Sequence, residues 1–128
     1  MEQQYKAIAE NVVSQMRELG VELNYDKQSI EWLDGYIERI RTELKQESYS
    51  GLATALGAYV GETIIAIYGG AWDYFQKLDQ WGVRFDEKSG AFPMSKVYKQ
   101  LEDGHDSGES ILSFFTVLPI ILEEGKEN

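Results

Sequence analysis

A chain of 128 residues without cysteine has room for one ordinary core, burying about two-thirds of its unfolded surface, and excludes disulfide frameworks, zinc–thiolate sites and thiol nucleophiles. Its 22 acidic against 12 basic side chains leave a net charge of -10, which repels phosphate backbones and argues against direct nucleic-acid binding. The first residues, MEQQYKAIAE, carry acids and no apolar run, so they read as neither a secretory signal nor a basic presequence; together with the missing cysteines this makes the cytoplasm the expected setting.

Residues 1–19 place Tyr5, Ile8, Ala9, Val12, Met16 and Leu19 at spacings of three and four, which predicts an amphipathic helix closed by Gly20. Asp26 is placed to cap a second helix, whose Ile30, Leu33, Ile37, Ile40 and Leu44 form a heptad-like stripe suited to another helix. Gly35 inside that helix predicts a close contact or a slight bend. These two helices form an N-terminal pair over residues 1–47.

From Leu52 to Tyr68 apolar or small residues occupy every side of a helical projection and Glu62 is the one charge, the signature of a helix surrounded by protein. Glu62 and the Gly69-Gly70 stop argue against a membrane span. Ser48 or Ser50 is the expected cap. Ala53, Gly57, Gly61 and Ile64 project as a small-residue ridge expected to seat helix one or two, while Leu52, Ala55, Tyr59, Glu62 and Ala66 gather on the opposite edge.

The period then changes from 3.6 to 2. Ala71 to Phe75, Trp81 to Phe85 and Ala91-Phe92 read as a three-stranded antiparallel meander, with Trp81, Val83 and Phe85 on the buried face. Ser95 to Glu102 predicts a short helix burying Val97 and Leu101 and ending at Gly104. Asp106 and Glu109 fit a capping box for a last helix carrying Ile111, Leu112, Phe114, Phe115 and Leu118, which Pro119 should end or kink. The expected fold is therefore α+β in a single domain, 1–128. Two N-terminal helices and a central buried helix (48–122 with the rest) pack with the small meander, C-terminal helices close it, and 123–128 is a loose tail.

The vocabulary for chemistry is thin. His105, the single histidine, lies among Asp103, Asp106 and Glu109, where it could serve a hydrated divalent cation or acid–base work; the same loop also reads as an ordinary helix end followed by a helix start, which is the commoner case. No G-x-S-x-G elbow or phosphate-binding glycine loop is present. Glu62, with Asp73 as its nearest partner along the chain, is the one acid in an apolar setting that could join a carboxylate pair; hydrogen bonding to Tyr, Trp or Lys, or plain exposure, is the favoured alternative. The aromatic sheet and the helix edge together suggest a ligand or partner site made of Tyr59, Glu62, Trp72, Tyr74 and Trp81, although aromatic stripes are more often core. From Glu102 to Glu124 there are six acids and no Lys or Arg, either a solvated surface or a docking face for a basic partner.

The segments LGAYVGE, YGGAW and SKVYKQLEDG, from about Leu56 to about Gly104, resemble a bacterial domain family of unknown function with an LGxYxGE, GGxW and SKVYK signature. The resemblance implies an accessory or immunity-like protein and no particular reaction or cofactor. The leading expectation is a non-enzymatic acidic interaction or regulatory protein with a protein partner and no cofactor or metal. The alternatives are a small-ligand module between central helix and sheet, and a hydrolase or metal-dependent enzyme using Glu62 or His105. The stripe of helix two and the aromatic sheet further predict a homodimer.

Overall fold

The apolar stripes fold as helices around one long central helix. The computed structural model describes residues 1–108 and 110–127. Among these the order is α1 (Glu2–Glu18), α2 (Lys27–Ile40), α3 (Tyr49–Tyr68), β1 (Ala71–Phe75), β2 (Gln80–Arg84), β3 (Gly90–Ala91), α4 (Pro93–Asp103) and α5 (Ile111–Glu127), the expected α+β arrangement.

α1 ends at Gly20 as its sequence predicts. With Gly20 at φ +86°, its amide donates to Arg17 O at 3.0 Å and that of Val21 to Met16 O at 2.9 Å, the paired bonds of a Schellman motif. Tyr5, Ala9, Val12, Val13 and Met16 are buried, but Leu19 is 70% exposed, because it sits at the cap where the helical direction of the stripe is already lost. Asp26 caps α2, its carboxylate accepting from the Ser29 amide at 2.8 Å, while Ser29 Oγ accepts from the Asn24 amide at 2.8 Å. Ile30, Leu33 and Ile37 are fully buried inside the fold, so this part of the stripe packs within the chain, while Ile40 and Leu44 are half-buried. Gly35 makes no close backbone contact either: a Cβ there would meet only the flexible Arg39 guanidinium, at 3.4 Å.

α3 starts without a serine cap, since a 3-10 turn at Gln46–Ser48 begins the spiral early and the Ser48 amide donates to Lys45 O at 2.9 Å. By length and composition Gln46–Tyr68 could cross a membrane, but half of it is buried within the fold, chiefly against α4 and α1. The small-residue ridge is used, though by different neighbours from those expected. A Cβ on Gly57 would lie 2.6 Å from Met94 Cα, and one on Gly61 would enter the Trp72 indole and approach Pro93. The ridge thus seats the start of α4 and the first strand, because the chain leaving β3 reaches α4 after a single residue and must cross α3 at once.

The sheet has order β1-β2-β3, antiparallel throughout, with Trp72 opposite Val83, Tyr74 opposite Trp81 and Val83 opposite Ala91. Trp72, Val83 and Ala91 form its buried face. Pro93 opens α4 two residues before the expected Ser95, its fixed φ and missing N–H suiting the first helical position. The cap of α5 is Ser110, whose Oγ accepts from the Ser113 amide at 3.0 Å. Asp106 lies instead in a 3-10 turn at His105–Ser107, and Glu109, the other half of the expected capping box, lies outside the described residues. α5 runs through Pro119 to Glu127, taking in part of the tail expected to be loose from Glu123. Proline removes one helical bond, and the packing of Leu118 and Leu122 on the core carries the helix past it.

Replacing Gly57 by Ala should cost a net of up to about 2 kcal/mol, overpacking of about 1–3 kcal/mol against backbone being offset by a helix-propensity gain of about 1 kcal/mol. Gly51→Ala, at a position with nothing within 4 Å, should gain up to about 1 kcal/mol. Urea unfolding midpoints of the two variants should move in opposite directions. Hydrogen bonds from Ser29 hold the Asp26 carboxyl below its usual range. The stability it contributes is therefore present above the unfolded aspartate pKa of about 3.9 and is lost as pH falls through the lower folded value. Asp26→Ala should cost about 1 kcal/mol at neutral pH, with the gap to wild type closing as unfolding is measured at progressively more acid pH.

Candidate functional site

Three elements meet at Trp72. β1 turns its indole inward, where the ring lies 4.4 Å from that of Tyr5 on α1 at a tilt of 34°, and its Nε1 donates to Glu62 Oε2 on α3 at 2.7 Å. Trp72 is only 4% exposed, whereas Glu62 is half-buried. Glu62 and Trp72 line an open cleft of about 280 Å³ together with Glu2, Lys6, Ile65 and Ala71. Among the described residues, Glu62 Oε1 makes no hydrogen bond and Lys6 makes no ion pair.

The remaining members of the expected ligand site are dispersed. Tyr59 is fully buried, its hydroxyl accepting from the Tyr25 amide at 2.9 Å and its ring 4.9 Å from that of Tyr25, so it anchors the connector between α1 and α2. Burial, followed by the neighbouring Tyr59, Glu10 and Glu62, pushes the Tyr25 phenol above its usual range. Trp81 packs 6.0 Å from Tyr5 and 5.9 Å from Tyr74, whose hydroxyl bonds to Asp79. Asp73 is no partner for Glu62. It lies on the outer face of the sheet, where Arg84 donates to it at 2.6 Å and holds its carboxyl below the usual range. The Arg84 guanidinium also lies 4.0 Å from the centre of the Phe75 ring, a cation–π contact on the same outer face.

His105 belongs to a second cluster, and its partners differ from those its sequence neighbourhood suggests. Its Nε2 lies 2.5 Å from Asp34 Oδ2, its Nδ1 3.8 Å from Glu38 Oε1, and its backbone amide donates to Glu38 at 3.2 Å. Asp34 is 4% exposed and also accepts from Gln100 Nε2 and from the Leu112 amide, each at 3.2 Å. Gln100, fully buried, gives Nε2 to Glu38 at 3.0 Å and accepts from the Ile111 amide at 2.9 Å. The network ties α2 to α4 and sets the Asp34 carboxylate at the amino end of α5, where the helix dipole favours it. Of the two imidazole nitrogens Nε2 is engaged by Asp34, whereas Nδ1 at 3.8 Å from Glu38 lies beyond hydrogen-bond distance, and Ser110 is engaged as a helix cap. Among the described residues no three His, Asp or Glu side chains converge as a metal site, and every buried side-chain polar atom has a partner.

Comparison with protein-family models, with curated proteins and with solved structures finds no match to this chain. Sequence reasoning missed Asp34, Glu38 and Gln100. Their signals were faint: two acids at i and i+4 flanking the buried stripe of α2, and an amide on the face that carries Val97 and Leu101. Tyr5, Glu2 and Lys6 had no signal at all, being separated from Glu62 by most of the N-terminal half.

Asp34→Ala would leave the buried Gln100 amide group and the Leu112 N–H short of an acceptor. Its expected cost is about 3 kcal/mol, set by the penalty for breaking buried charged hydrogen bonds. Glu38→Gln, at a half-buried site, should cost about 1 kcal/mol or less. Urea unfolding followed by circular dichroism measures both.

Proposed function

We propose that this protein is a non-enzymatic acidic interaction or regulatory protein that docks a basic protein partner. One observation carries the reading. Glu38 on α2 accepts from the amide of His105, which comes two positions after α4 ends in the exposed Glu102 and Asp103 and directly precedes the exposed Asp106. Arg41, the arginine of that region, engages its guanidinium with the carbonyls of Gln100, Leu101 and Glu102 and forms no ion pair with these carboxylates among the described residues. Such a face steers a positively charged partner and rejects anionic ones. The overall charge of -10 extends the same field over the rest of the surface. An immunity-like role in the bacterial cytoplasm accords with this chemistry and with the resemblance of the LGAYVGE, YGGAW and SKVYKQLEDG segments. An enzymatic role for His105 draws less support, because its Nε2 is held by the buried Asp34 and the serine beside it, Ser110, caps α5.

The test is affinity capture from the native host at low salt, run beside a variant with Glu102→Lys, Asp103→Lys and Asp106→Lys that retains the wild-type circular dichroism spectrum. Wild type should retain a protein of basic pI that is released at an ionic strength on the order of 0.5 M, where exposed charges are screened within a few ångströms. The triple variant should retain none of it. Capture indifferent to the variant, or no captured protein, overturns the proposal.

A further inference from the structure

We propose that the cleft over Glu62 and Trp72 is a binding site for an alkylammonium group, either a free primary amine or the side chain of a lysine. The site is built from different residues than the acidic docking face and stands or falls separately. Glu62 is the single acid in the 20 residues of α3, and it is held in one orientation by the Trp72 indole N–H on Oε2 at 2.7 Å. Its other oxygen makes no hydrogen bond among the described residues, and the residue is half-buried, where a lower local dielectric strengthens a charge-assisted hydrogen bond.

The ligand class follows from what surrounds that oxygen. Ile65, Ala71 and the Trp72 edge give the cleft apolar walls beside the carboxylate, which suits a hydrocarbon stem ending in a cation. A single available oxygen favours the point charge of an ammonium over a guanidinium, whose planar fork requires both oxygens of a carboxylate. At about 280 Å³ the cleft falls just short of the roughly 300–1,000 Å³ of drug-sized ligand sites, so one alkyl chain is the fitting size. Glu2 adds a second carboxylate to the lining. Lys6 lines the same cleft without an ion pair among the described residues, which makes it the intramolecular competitor for Glu62.

The experiment is a nitrogen–proton NMR titration of the whole chain, following the Trp72 indole N–H and the amides of Gly70 and Ala71. n-Pentylammonium chloride should shift these signals saturably, whereas 1-pentanol, with the same stem and no charge, should not. Glu62→Gln keeps an acceptor for the indole and should weaken pentylammonium binding at least about tenfold, the magnitude of one charged hydrogen bond. Lys6→Gln, at an exposed position that does not threaten the fold, should tighten it. Binding of N-acetyl-lysine N-methylamide as strong as that of pentylammonium assigns the site to a protein lysine, and binding of the free amine alone assigns it to a diffusible amine. No saturable shift with pentylammonium, equal shifts with pentanol, or a Lys6→Gln variant that binds no more tightly than wild type overturns the proposal, whether or not Glu62→Gln folds.

Discussion

The architecture depends on how closely other groups can approach the central helix. Where Gly57 and Gly61 lack side chains, the backbone at Met94 and the indole of Trp72 press directly onto α3. That approach fixes the start of α4 and the inward edge of the sheet together, and it leaves the Trp72 N–H pointing at the one carboxylate the helix carries. A side chain at Gly61 would displace the tryptophan, and Glu62 would have neither its orienting donor nor its apolar wall. Fold and cleft thus share a single cause, the absence of two methyl groups at van der Waals distance from a tightly packed partner.

A second constraint acts at the opposite pole of chemistry. Asp34 and Gln100 are buried polar groups in the core between α2, α4 and α5, and such groups are tolerated only when every donor and acceptor is met. Here they are met by each other, by His105 and Glu38, and by the first amides of α5. An apolar core would accept the helices in several rotations; a network of directional bonds accepts one. The same bonds draw the acids of α2 and of the turn after α4 to one end of the molecule. An interior device for orientation therefore shapes the charge pattern that a partner would meet.

These two regions divide the capacities of the protein. At the end of α4 the field is broad, exposed and readily screened, suited to steering an encounter more than to holding a specific group. At Glu62 one carboxylate is partly sheltered and aimed, which suits recognition of a single cation. Most other groups with chemical potential are engaged in holding the fold: Tyr59 on the Tyr25 amide, Ser110 on Ser113, and Arg41 on the last carbonyls of α4.

The sequence by itself determined the elements, their order and most of the core. Helical spacing in Tyr5 to Met16 and in Ile30 to Ile37, the all-round apolar character of α3, the alternation around Val83 and the stops at Gly20 and Gly104 are local signals that survive folding unchanged. Glu62 and Trp72 were also legible as a pair worth joining, because one is the lone charge of its helix and the other follows that helix directly. Tertiary structure decided everything that required two distant segments to choose each other: α4 and Trp72, not α1 or α2, on the glycine ridge; Asp34 and Glu38, not Asp103 and Asp106, at His105; Tyr59 drawn away to Tyr25. The passage of α5 through Pro119 belongs here too, since the burial of Leu118 and Leu122 outweighs one lost hydrogen bond. Periodicity records which face of an element is apolar, but it carries no information about which apolar face, or which carboxylate, will be its neighbour, and that choice is made by packing the whole chain at once.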